Sequence, residues 1–187
     1  MRTSVEGLLY PVNAASEIIS LLAGVSGHRS SGFLIEVPHA AWSRCKPVLD
    51  KVFSFAPDSE VGQVFVLAPL HKGSVCLDSG DSVYAPSDGE LAGSDWKIDL
   101  RTPDSLRNLV AFSDDICSEE QSLEVIAPYL SVLFPSACIC WLLASQGDPS
   151  LKRIVEIIRK DFPFSPIFIS NNIETQCAGM WKEAFRP

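Results

Sequence analysis

Two of the three histidines in this chain close the same phrase. Phe33-Leu34-Ile35-Glu36-Val37-Pro38-His39 is an apolar run, a proline and a histidine, and Val64-Phe65-Val66-Leu67-Ala68-Pro69-Leu70-His71 repeats it. A neutral imidazole is a metal ligand or an acid–base group near neutral pH. Two imidazoles leaving a sheet at equivalent points could act as a pair in either chemistry. Each run reads as a buried strand stopped by proline, which cannot donate to a ladder. Both histidines then fall just past strand C-termini, the edge at which open α/β sheets bind ligands. The plainer alternative is that each ring only hydrogen-bonds a neighbouring loop. The third histidine, His28, lies in the polar stretch 26–32 and reads as solvated.

Other reactive side chains form weaker patterns. Cys138 and Cys140 share a strand face, but no second cysteine pair accompanies them, so small buried hydrophobes are the simpler reading. Ser122 and Glu124 have no histidine nearby in sequence with which to build a hydrolase triad. Neither standard glycine-rich phosphate loop is present.

The elements that must position these groups alternate. Helical spacing is read at 14–23 and 42–54, with Pro47 in the first turn of the second helix. Strands are read at 33–37, 63–68, 137–143 and 166–170. Residues 72–103 are Gly- and Asp-rich with no clear period, and residues 104–112 read as a short helix capped by Asp104. Ser118-Glu119-Glu120-Gln121 fits a capping box, with both acids in a first turn and Pro128 interrupting the helix that follows. Asp148-Pro149 opens a helix with the stripe Leu151, Ile154, Val155, Ile157 and Ile158. The fold class predicted is α/β: a mostly parallel sheet flanked by helices on both faces.

The chain has 187 residues, 47% hydrophobic and 20% charged, which predicts one globular domain over 1–187. The net charge of −8 and scattered basic residues argue against nucleic acid. No apolar run is long enough to span a membrane, and six cysteines without a signal-type N-terminus predict a cytoplasmic setting with free thiols.

Four phrases together resemble the MEMO family, the MEMO-like component of AmmeMemoRadiSam systems, whose fold is similar to LigB-type extradiol dioxygenases. They are Gly7-Leu8-Leu9-Tyr10-Pro11, Val37-Pro38-His39-Ala40-Ala41-Trp42, Leu67-Ala68-Pro69-Leu70-His71-Lys72 and Glu120-Gln121-Ser122-Leu123-Glu124, the last continued by Pro128-Tyr129-Leu130. Their order and spacing agree, from about residue 2 to about residue 177. The resemblance implies that His39 and His71 line a metal-like site; Pro38 and Trp42 beside His39, Gln121 and Asn172 at motif positions, and Glu174 two residues beyond Asn172 are the pocket-lining residues expected around it.

The departures are chemical. Gln121 stands where the family has histidine, Asn172 where it has aspartate and Thr175 where it has a second histidine. Members also continue beyond this length and supply a cysteine to the site, so the chain reads as shortened at its C-terminus. Non-haem oxygenase iron needs two histidines and a carboxylate, and catalytic zinc needs three protein ligands. Glu174, Glu36 and Asp78 are the carboxylates near enough in sequence to substitute.

The function expected is therefore a divergent MEMO-like pseudoenzyme, whose strand-end pocket binds a ligand, metal or partner peptide without oxygenase activity. Two alternatives stand beside it: a non-haem metal-dependent oxidoreductase using His39 and His71, and a homo-oligomeric scaffold. Iron, copper and zinc are the candidate cofactors, and a site with none is the remaining case. Resemblance implies AMMECR1-type proteins, radical SAM proteins or phosphotyrosine peptides as partners.

Overall fold

The computed structural model describes residues 8–22, 34–54, 61–70, 83–144 and 149–171. The chain order is α1 (Ala14–Leu22), β1 (Leu34–Pro38), α2 (Trp42–Phe53), β2 (Gln63–Pro69), β3 (Val83–Ala85), β4 (Gly89–Ala92), β5 (Lys97–Leu100), β6 (Ala111–Phe112), α3 (Asp114–Glu119), α4 (Ala127–Leu133), β7 (Cys138–Ala144), α5 (Ser150–Asp161) and β8 (Ile167–Asn171). The fold is α/β, as the alternation predicted.

The strands form one mixed sheet in the order β1-β8-β2-β7-β3-β6. The first four are mutually parallel. The far edge of β7 is shared: β5 pairs in parallel with its start, and β3 pairs antiparallel with its end. β4 closes a hairpin onto β5.

Period-two alternation divides the core between the two faces. Val64, Val66 and Ala68 of β2, Ile139, Trp141 and Leu143 of β7, and Phe168 of β8 pack in one apolar cluster with α1, α2 and α4. The intervening Phe65, Leu67, Cys140, Leu142, Ile167 and Ile169 pack against α5. Central strands are thus apolar on both sides, which is why they read as unbroken hydrophobic runs. α5 buries Leu151, Ile154, Val155 and Ile158, the i, i+3, i+4, i+7 stripe expected of a helix lying on a sheet. Among the described residues no helix is long and apolar enough to cross a membrane.

Several expectations are corrected. The stretch 72–103 was read without elements, yet β3, β4 and β5 lie within it. They are three or four residues long, too short for a period to show, and their partner strands supply the pairing. The hairpin also reaches across to α1. Asp95, in the β4–β5 turn, accepts the Ala15 and Ser16 backbone N–H groups at 3.2 and 3.0 Å, capping that helix with a carboxylate. Gly93 is required in this turn, since a Cβ there would sit 2.2 Å from the Trp96 Nε1.

The expected helix at 104–112 is one 3₁₀ turn at Arg107–Leu109, followed by β6. Asp104 pairs instead with the Arg107 side chain at 3.2 Å. The capping box at Ser118 is also displaced. Helix α3 starts earlier, with Ser113 accepting the Ile116 N–H and Asp114 and Asp115 in its first turn. Glu119 ends that helix, and Pro128 starts α4 rather than interrupting it. Pro47 lies in the second turn of α2, not the first. It is exposed, as is Ser43, whose carbonyl loses the helical partner, so water meets that group.

Candidate functional site

The two proline-ended strands flank β8. Pro38 is level with Asn171, and Leu67 of β2 is level with Ile169. Extending that register by two residues brings Pro69 level with Asn171 as well. Both prolines therefore end their strands at the same height, separated by two inter-strand spacings, roughly 10 Å. The Leu70 N–H still reaches the Ala144 carbonyl at 2.8 Å, so β2 stays tied to β7 up to the residue before His71. The backbone thus brings the ends of β1 and β2, and with them His39 and Leu70, to one edge. His71, Asn172, Thr175, Glu174 and Asp78 lie outside the described residues, as does His28.

His39 is half-buried immediately past β1. Its Nδ1 lies 3.0 Å from the Ser170 Oγ. That hydroxyl lies 3.1 Å from the Ser122 carbonyl oxygen, to which it donates. A carbonyl only accepts and a hydroxyl has one proton, so in the neutral ring Nδ1 carries the hydrogen and donates to Ser170. Nε2 is then the nitrogen with the lone pair.

The segment that supplies the Ser122 carbonyl is the fourth phrase. Five polar residues are buried among those described, and four of them are Glu120, Ser122, Glu124 and Ser170. Burying polar groups is costly unless partners offset it, and the Ser170 hydroxyl meets that cost between His39 and the Ser122 carbonyl. The Ser122 Oγ is buried without a hydrogen-bond partner among the described residues. Ser122→Ala keeps the carbonyl that holds Ser170 and removes this orphaned hydroxyl. It is expected to leave stability unchanged or raise it by about 1–2 kcal/mol, read from the urea midpoint; a lowered midpoint would show that the hydroxyl is used.

Other expected site residues fall differently. Gln121 is exposed beside Ser122, one residue from the chain of contacts that reaches His39. Pro38 is half-buried at the strand end. Trp42 does not stand at a pocket mouth. It is 4% exposed, donates its indole N–H to the Val125 carbonyl at 2.9 Å, and packs against Tyr10 and Tyr129. It props the fourth phrase from beneath. Glu36 is exposed, and its register with Ile169 puts it on the sheet face of α5, opposite Val37 and Ser170.

Ser170 was not singled out from sequence. Its only signal is parity with Phe168 on a buried strand, and the register with β1 was needed to bring it to His39. Cys140 is buried, and desolvation pushes its thiol well above the usual range despite a hydrogen bond from Thr102. Cys138 is half-buried 3.5 Å from Asp99, and burial and that carboxylate raise it too. Neither favours the thiolate that metal binding needs.

Among the described residues no three His, Cys, Asp or Glu side chains gather closely enough to hold a metal. Among the described residues His39 is the imidazole at this edge. Further ligands would have to come from His71 and the residues after β8.

A separate cavity of about 300 Å³ opens beyond β3 and β4, over Leu91, Leu100 and Trp141 with Asp88, Asp114 and Asp115 around it. It does not include His39. Two of these carboxylates are committed to the fold: Asp88 to the Thr102 N–H and Arg107, and Asp114 to the Ser87 N–H.

No protein-family model matches the chain, and no curated protein matches it either.

Proposed function

We propose that this protein is a divergent MEMO-like protein whose strand-end pocket, built around His39 and His71, binds a ligand without oxygenase chemistry. The observation that supports this most is the His39–Ser170–Ser122 chain, which holds one imidazole at the sheet edge through its Nδ1. The register supports it too, since it brings the β2 segment leading to His71 to the same height. A metal bound here would supply Lewis-acid character to a ligand. What the chain's own residues supply is a held imidazole and buried polar groups beside it. Gln121, Asn172 and Thr175 replace a histidine, an aspartate and a histidine that the resemblance would require, which is why oxygenase chemistry is left out. In this reading an AMMECR1-type protein, a radical SAM protein or a phosphotyrosine peptide is the class of partner to try first.

The test uses untagged protein, zinc as a probe and catechol with iron(II). Zinc is expected to bind in the wild type, and His39→Ala and His71→Ala are each expected to weaken it by about 10-fold or more while remaining folded. No oxygen uptake is expected with catechol. Uptake that requires His39 would replace this reading with the oxidoreductase one. Zinc affinity unmoved by either substitution would remove the two-histidine pocket.

A further inference from the structure

We propose that α1 is a strap: it opens from the body of the protein on its own, and the Asp95 carboxylate of the β4–β5 turn is the latch that holds it closed. The proposal is independent of the strand-end reading.

α1 is 9 residues long, and isolated helices shorter than about 12–15 residues are marginal in water. Its helical state must therefore come from its surroundings. Packing supplies little of it. Of its described side chains Ala14, Ala15 and Ile18 are buried, whereas Ile19 and Leu21 are exposed. α2 buries Trp42, Cys45, Leu49 and Phe53, and α5 buries Leu151, Ile154, Val155 and Ile158. Apolar stabilisation scales with the area removed from water, so α1 is the least firmly seated of the three.

The cap offsets this. The first N–H groups of a helix have no partner within it. Here those of Ala15 and Ser16 donate to the two oxygens of Asp95, a residue 80 and 79 positions further along the chain. The carboxylate also meets the positive end of the helix dipole. Asp95 is exposed, so on release water meets its charge and nothing buried is left unpaired by it. The chain before α1 is pinned separately. The Leu9 carbonyl accepts the Trp42 N–H at 2.8 Å, and the Tyr10 ring lies 6.0 Å from both Trp42 and Trp96. The strap thus has a fixed start at Tyr10 and a releasable body. Its opening uncovers the surface of α4 on which α1 packs.

The test is native-state hydrogen exchange in low urea, followed at amides 18–21 of α1 and 140–143 of β7. In the wild type, amides 18–21 are expected to exchange at least about 100-fold faster than 140–143, with little dependence on urea, because the opening exposes little surface. Asp95→Ala is expected to speed amides 18–21 by about 5-fold or more at the same shallow urea dependence. Asp95→Asn, which keeps one acceptor oxygen and loses the charge, should fall between the two. Amides 18–21 that match 140–143 in rate and urea slope would show that α1 opens only with the whole molecule, and would overturn the proposal. Exchange at 18–21 unchanged in Asp95→Ala would overturn it as well, since Asp95 would then be no latch. If Asp95→Ala fails to fold, the wild-type urea dependence and Asp95→Asn decide by the same two criteria.

Discussion

Phe168→Ala is expected to destabilise the protein by about 3–5 kcal/mol, measured by urea denaturation with an unchanged m value. Phe168 is fully buried in the strand that lies between β1 and β2. Its ring packs 5.1 Å from Phe53 of α2 and 6.2 Å from Phe134 after α4. Truncation therefore opens a void that three elements border, and close-packed interiors recover little of such a loss. The effect should extend to the site. Ser170 is two residues on, on the same face, so a shift of β8 would lengthen its contact with His39. A loss below about 1 kcal/mol would mean that α2 and α4 can close onto the sheet, and that β8 is held mainly by its ladders.

Trp42 is the second position with a large expected effect, and two substitutions separate its roles. Trp42→Ala should cost about 3–5 kcal/mol, since the ring contacts Tyr10 at 6.0 Å and Tyr129 at 5.2 Å between α2 and α4. Trp42→Phe keeps most of that packing but removes the donor to the Val125 carbonyl, a cost of about 1–3 kcal/mol for a buried acceptor left alone. That carbonyl belongs to the turns between α3 and α4, which also carry Ser122. Trp42→Phe should therefore disturb the His39–Ser170–Ser122 contacts, read from the ¹⁵N shifts of the His39 ring, more than its modest stability cost suggests. If Trp42→Phe is as stable as wild type, water or another donor reaches Val125 and the indole is packing alone.

Neighbouring residues explain why these rings are sensitive. The Tyr129 phenol donates to Asp50 and stacks on Phe53 with centroids 4.6 Å apart. Burial first, then the Asp50 carboxylate, drives its acidity well below the usual phenol range, so it stays protonated and a donor at any working pH. Lys46 holds the other side of Asp50 at 2.9 Å. The α2–α4 contact is thus an aromatic stack closed at its solvent end by one charged hydrogen-bond cluster.

What could be read from sequence follows physical lines. β2, β7, β8 and α5 were legible because continuous burial or a 3.6-residue stripe leaves a strong pattern in a single segment, and the edge strand β1, mostly uncovered, because a short apolar run ends in proline. β3, β4 and β5 were not, because strands this short are defined by what they pair with. Ser118 imitated a helix start, while Ser113, followed directly by two acids, was the real one. Pro128 was misread because a proline that starts a helix and one that breaks it look alike until the preceding turns are known. At the site, His39 was legible from its place after Pro38. Ser170 was invisible, because its role depends on a register across 131 residues. Trp42 was drawn towards the pocket by its nearness to His39 in sequence, whereas helical geometry turns it into the core.

The order of the sheet also governs how the molecule is made. β8 is the last of the described strands, yet it fills the gap between β1 and β2, the first two of them. On the ribosome those two strands emerge with facing edges that no neighbour satisfies until nearly all of the described chain has been synthesised. Contacts of such long sequence separation form slowly, because loop closure must be met first. Bare parallel edges are meanwhile open to pairing with another chain. The His39–Ser170–Ser122 contacts are consequently among the last of the described fold to form. Until β8 docks, His39 has no Ser170, and this edge cannot act as a nucleus for the structure that it completes.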